Sequence, residues 1–165
     1  MLNRDPKMAL WHSLDKQRRV TCIPVIKTDW LQRTVTPEDH LITFDRHMGS
    51  GTFGGRWELP GILVPALQIL ESTIKRDLSN LTTGPCALQC IGFRFGRDIR
   101  DKEFTQFVYF AIFTQIPHVQ LLSEHRYSAH RILSWSEVIA GDQTVRPDHS
   151  DLLEEVFGYH IELSS

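Results

Sequence analysis

Long apolar runs are missing from this chain, and none is long enough to span a bilayer. Residues 1–17 are polar and mixed, without the apolar stretch of a secretory signal. The expectation is a soluble, cytoplasmic protein with no membrane partner. A charge excess is missing too. The formal net charge of −2 gives no general attraction to nucleic acid, though it is compatible with a local basic pocket. Cysteine is scarce: Cys22, Cys86 and Cys90 are odd in number, which points to reduced thiols rather than a disulfide framework. Cys86 and Cys90 share a face of an expected strand but lack zinc-knuckle spacing, so they read as small buried apolar residues. No His-x-His or His-Glu-x-x-His pattern supports a local zinc site, and no Gly-x-Ser-x-Gly elbow presents a serine nucleophile.

What is present suffices for a core. The chain has 165 residues, 41% hydrophobic and 23% charged, which suits one globular domain. Residues 1–17 form a lead-in, and residues 18–165 form the domain. Residues 18–26, RRVTCIPVI, are β-branched and read as a strand, with Pro24 suggesting an edge or a bulge. Residues 40–46 read as a second strand. Residues 86–95 and 104–115 read as long strands joined by a charged turn, an antiparallel hairpin. The second of these is apolar on both faces and therefore central. A short strand is expected over 131–134, with Ser134 or Ser136 capping a following helix. An amphipathic helix over 148–159 closes the chain.

The chain is organised around residues 55–84, GRWELPGILVPALQILESTIKRDLSNLTTG. A glycine turn leads into an extended segment, Trp57 to Gly61. A helix is expected over 66–81, with Leu67, Leu70, Ile74, Leu78 and Leu81 on its buried face. This arrangement resembles the signature of the Nudix hydrolases, which cut diphosphates linked to another moiety. The resemblance covers about residues 18–141 and implies an α/β fold. That fold is a Nudix-like α/β/α sandwich with a mixed, mainly antiparallel sheet. Aligned on the Trp57–Gly61 segment, the signature's arginine falls on Arg76, its next glutamate on Asp77 and its aliphatic on Leu78. Its first glutamate falls on Gln68, and its paired glutamates fall on Asn80 and Leu81. The positions kept shape the fold, and those lost are mostly the carboxylates that hold divalent metal in the family. No cofactor is therefore expected. Mg2+ or Mn2+ enters only through a residual site, for which Glu71 and Asp77 are weak candidates.

A pocket without its metal has two uses. One is a repurposed, metal-independent enzyme working by acid–base chemistry on a small organic molecule, which is the leading expectation. The other is a non-catalytic ligand-binding or scaffold domain. A residual Mg/Mn-dependent pyrophosphohydrolase of nucleoside-diphosphate-type substrates is the third reading. The chain carries eight histidines, a supply suited to proton transfer near neutral pH. The candidate catalytic residues are Glu58, Asp77, His125 and His130. Phe53, Trp57 and Phe107 are candidates for an aromatic ligand wall, and Arg94 for holding a phosphate or carboxylate. Core packing is the alternative for the aromatic residues, and a solvated turn for the arginines. The expected partner is a small-molecule ligand. A homodimer is left open.

Overall fold

The computed structural model describes residues 2–27, 33–47, 54–98, 100–121, 127–141, 145–158, 161 and 163. The first helix is α1 (Lys7–His12), and it leads to β1 (Arg18–Ile26). After it come β2 (His40–Arg46), β3 (Trp57–Glu58), β4 (Gly61–Val64) and α2 (Leu70–Leu78). Next are β5 (Thr82–Thr83), β6 (Ala87–Arg97), β7 (Glu103–Phe113) and β8 (His118–Val119). β9 (Tyr127–Ser134), α3 (Trp135–Ala140) and α4 (Pro147–Gly158) complete the described elements. No helix among the described residues is long and apolar enough to cross a membrane.

β1 is central, not an edge. It runs parallel to β7 over its whole length, from Arg18 opposite Thr105 to Ile26 opposite Phe113. Its other side is shared. β4 pairs antiparallel with Arg18 to Thr21, and β2 pairs with Val25 and Ile26. The Cys22 N–H bonds to the Pro60 carbonyl at 2.9 Å on that shared side. Backbone donors alternate along a strand, so the nitrogen of Pro24 faces the same side, in the gap between β4 and β2. Its missing N–H removes no ladder bond, which corrects the expectation of an edge position. The β6–β7 hairpin forms as expected, and β9 pairs with β2 over a longer span than the sequence suggested.

Two apolar clusters lie on opposite faces of the sheet. One gathers Ile23, Val25, Val108 and Phe110 under α3 and α4. The other gathers Val20, Cys22, Phe93, Phe107 and Tyr109 under α2, with Ala9 of α1 alongside. Three layers result, α/β/α. The lead-in is part of this packing. Leu2 is buried, and Asn3 exchanges two backbone hydrogen bonds with Phe93, which covers part of the outer edge of β6. A Cβ on Gly92 would lie 2.6 Å from the Asn3 carbonyl oxygen, so glycine permits this crossing.

α2 is shorter than its apolar periodicity suggests. Leu67 adopts φ 68° and is 74% exposed, so it lies off the buried face formed by Leu70, Thr73, Ile74 and Leu78. The cause is the buried Arg18 guanidinium, which donates to the carbonyls of Pro65 and Gln68. The Leu67 N–H is also drawn to the Leu14 carbonyl. These bonds hold 65–68 as a loop.

Ser134 caps α3. Its hydroxyl accepts from the Glu137 N–H, and the Glu137 carboxylate accepts from the Ser134 N–H, a reciprocal capping box. Hydrogen bonds from the Ser134 backbone N–H and then its hydroxyl hold the Glu137 carboxyl below its ordinary range. Ser134→Ala is expected to cost about 1 kcal/mol in urea unfolding at pH 7. The carboxylate's contribution is present above the unfolded pKa of a glutamate and is lost as pH falls through the lower folded value. The difference between wild type and Ser134→Ala should therefore shrink on acidification below about pH 4.

Candidate functional site

A cleft of about 560 Å³ opens where the sheet extends beyond α4. Its floor is the sheet face carrying Arg19, Thr21, Gln106 and Arg94, and its far wall is the start of α4. That wall is stitched to the Trp57–Gly61 segment. Val145 bridges Trp57, and the Arg146 N–H bonds to the Trp57 carbonyl at 2.8 Å. The Arg146 guanidinium donates to Glu58 Oε2 at 3.1 Å and to Asp148 Oδ1 at 2.7 Å. Arg46 approaches the same Glu58 oxygen at 3.7 Å. Burial works against charge at Arg146, but the hydrogen bonds to Asp148 and Glu58 outweigh it and hold the guanidinium above its ordinary value. Burial likewise opposes the Asp148 carboxylate, and the Arg146 hydrogen bond and charge keep its pKa low.

His149 completes the wall. It is buried, and its Nδ1 accepts the Leu59 N–H at 2.9 Å. An accepting Nδ1 is unprotonated, so the neutral ring carries its proton on Nε2. This backbone contact therefore selects the tautomer of a histidine on the cleft wall.

The residues singled out from sequence scatter around this cleft. Glu58 and Arg94 line it. Glu58 is 1% exposed and is engaged by two guanidiniums. Trp57 lies outside the lining, with the Arg131 guanidinium stacked 3.5 Å from its ring centre. Phe107 is 0% exposed and sits in the core beneath α2, so it does not belong to a ligand wall. The period of the strand decides this, because Phe107 points away from its cleft-lining neighbour Gln106. His130 is exposed on β9 and does not line the cleft. Phe53 and His125 lie outside the described residues. Arg146, Asp148, His149 and Gln106 were missed. Pro147 was the signal for Arg146, Asp148 and His149, since proline favours the first helical position, and Gln106 on β7 had none.

Asp77 lines a second, smaller pocket of about 230 Å³ with Asn80 and Tyr127, among Pro60, Gly61 and the aliphatic Ile62, Leu78 and Leu81. This is one carboxylate, one amide and one phenol among aliphatic side chains. Mg2+ and Mn2+ favour several hard oxygen donors, so this set fits them poorly. No group of three His, Cys, Asp or Glu side chains is placed to hold a metal among the described residues.

The β3–β4 segment, α2 and the mixed sheet have counterparts in solved structures. The Nudix domain of Shewanella oneidensis NrtR, complexed with ADP ribose, matches with a TM-score of 0.60. It is 20% identical, over 95% of this chain and 94% of that one. RenU, a Nudix hydrolase from M. smegmatis, matches with a TM-score of 0.62 at 16% identity, over 90% and 89% of the two chains. The chain has the Nudix fold. The same Nudix fold aligns with the C-terminal domain of mouse MUTYH, solved in complex with human PCNA, at a TM-score of 0.55 and 17% identity. That alignment covers 91% of this chain and 94% of the other. No family model matches the chain, and no curated protein matches it.

Proposed function

We propose that this Nudix-fold chain is a repurposed enzyme that binds a small organic molecule in the cleft and acts on it by acid–base chemistry without a divalent metal. The observation that carries this reading is the cleft itself. It places a tautomer-fixed histidine beside an ordered set of polar groups, while the Asp77 end of α2 offers a single carboxylate. A cavity of about 560 Å³ falls within the size range of small-molecule sites. His149 is the group on this wall suited to carrying a proton near neutral pH. Glu58, considered as a catalyst from sequence, acts instead by fixing Arg146 and the start of α4. That a related Nudix domain has been solved with ADP ribose supports a ligand site in this fold and makes ADP ribose a first compound to try.

Two measurements test the reading. Mn2+ calorimetry on wild type and Asp77→Asn is expected to give no saturable binding in either. A metabolite screen in the presence of EDTA, read by thermal shift and by product mass, is expected to find a ligand that is turned over. His149→Gln should then keep binding and lose about 10²–10⁴-fold in turnover. Tight Mn2+ binding abolished by Asp77→Asn, with turnover that requires the metal, would overturn the proposal in favour of a pyrophosphohydrolase.

A second reading is a protein-binding domain, as MUTYH's complex with PCNA illustrates for this fold. It is favoured by the exposure of Trp11 at 75% and Leu67 at 74%, on segments joined by backbone bonds from Leu67 N–H to the Leu14 carbonyl and from Leu14 N–H to the Trp11 carbonyl. A chain that gives no ligand in the screen but self-associates or captures a partner through Trp11 would follow this course.

A further inference from the structure

The four arginines that line the cleft are not equivalent. Arg146 is committed to Glu58 and Asp148. Arg97 is paired with Asp101 and Glu103 in the hairpin turn. Arg19 and Arg94 remain: Arg94 is held in place by a neutral group, and Arg19 by an aromatic ring with Asp98 at 3.7 Å. In the sheet register, Arg19 lies opposite Gln106, and Gln106 lies opposite Arg94. The three residues form one row across β1, β7 and β6 on the cleft face. Adjacent strands are about 4.8 Å apart, so the two arginine Cα atoms stand about 10 Å apart with the glutamine between them.

Each guanidinium has its own support. Arg94 Nε donates to Gln106 Oε1 at 2.7 Å, and Gln106 Nε2 donates to Thr21 Oγ1 at 2.6 Å. The glutamine's orientation is therefore fixed from β1, and Nε of Arg94 is used. The two terminal nitrogens of Arg94 have no further polar partner among the described residues. They form the fork that binds planar or tetrahedral oxyanions in two parallel bonds. Arg19 stacks 4.0 Å from the centre of the Phe104 ring. Phe104 can lie there because the residue opposite is Gly96, where a Cβ would fall 2.5 Å from the ring. Asp98 approaches Arg19 at 3.7 Å, beyond hydrogen-bonding distance. Both side chains lean over β7 from opposite sides.

We infer that Arg19 and Arg94 form a pre-oriented oxyanion site, and that the cleft's ligand carries a phosphate or carboxylate group seated over Gln106. Gln106 is a positioning residue, since it orients Arg94 rather than meeting the ligand's charge. The inference rests on the cleft being the ligand site and adds the ligand's chemical class. A hydrogen-bonded carboxylate would offset the positive charge that the oxyanion needs, so the Gln106 support suits Arg94. At Arg19 the Phe104 ring fixes the geometry, and Asp98 at 3.7 Å offsets part of the charge without a hydrogen bond.

The test uses inorganic phosphate and succinate as probes, at low ionic strength, on the whole chain. Calorimetry gives affinity, and the Nε–Hε NMR signals of the arginines report the site. Wild type is expected to bind one phosphate or one succinate with an affinity that falls as salt rises, with Arg94 and Arg19 signals shifting together. The tighter probe tells which oxyanion is preferred. Arg94→Lys keeps the charge and loses the fork, and should weaken binding at least about tenfold. Gln106→Leu should weaken it several-fold and move the Arg94 Nε–Hε signal before any probe is added, which a purely structural role would not do. Arg100→Lys, on the outer turn, should change nothing, and urea midpoints report whether the variants fold. No binding of either probe to wild type, or equal binding in Arg94→Lys, overturns the inference. A neutral molecule held in the cleft with affinity untouched by Arg94→Lys would also remove it while leaving the proposed enzyme standing. Oxyanion binding at the pair with no organic molecule turned over would sustain the inference and remove that enzyme.

Discussion

Glu58→Ala is expected to destabilise the chain by about 3–5 kcal/mol in urea unfolding, enough to threaten a domain of ordinary stability. The carboxylate is 1% exposed, and two guanidiniums converge on its Oε2. Removing it takes a buried carboxylate away from both the Arg146 and the Arg46 guanidinium. The penalty is then the cost of two largely buried positive charges losing a shared counter-charge, which exceeds the net worth of the pair. The position matters as much as the charge. β3 is only two residues long and pairs with β2 at Trp57 and Glu58. It depends on its link to the start of α4 for anchorage, so loss of Glu58 should loosen the Leu59–His149 contact as well. Glu58→Gln keeps the volume and a hydrogen-bond acceptor, and should lose less. An alanine variant as stable as wild type but inactive would restore Glu58 to the catalytic role and contradict its place as a fastener.

The layer order was legible because it depends on periodicity, and periodicity survives in a single sequence. The stripe at Leu70, Ile74 and Leu78 placed α2, the charged turn between two apolar runs placed the β6–β7 hairpin, and the Ser134–Ser136 pair announced the cap of α3, which falls on Ser134. The site was less legible because it is made by registers. Arg19, Gln106 and Arg94 are far apart in sequence and meet only because β1 pairs with β7 in parallel and β7 with β6 antiparallel. No local pattern encodes that pairing. Leu67 fits the helical stripe perfectly well, and only the reach of Arg18 to the carbonyls of Pro65 and Gln68 explains why it is turned out. Arg94 was picked out as an arginine near the end of a long strand, a residue type suited to holding a phosphate or carboxylate. Its neighbours in space, Gln106 and Thr21, carry no such mark.

Phe107→Ala should cost about 3–5 kcal/mol of stability and leave oxyanion affinity of the folded chain unchanged. Phe107 follows Gln106 in β7, and one step along a strand reverses the side-chain direction. Val20, Phe107 and Phe93 therefore make a row parallel to that of Arg19, Gln106 and Arg94, on the opposite face. That row is the floor of the α2 cluster, where Phe107 and Phe93 lie with ring centres 6.1 Å apart. The truncation leaves a cavity between the sheet and α2 that a central strand has little freedom to close. The cleft face keeps its side chains, so phosphate titration at a temperature where the variant is folded should match wild type. A variant that lost phosphate binding while keeping its unfolding midpoint would place Phe107 among the ligand contacts and reverse the assignment of faces. The two rows thus make opposite predictions from adjacent residues: substitutions at 106 and 94 should act on affinity, and those at 107 and 93 on stability.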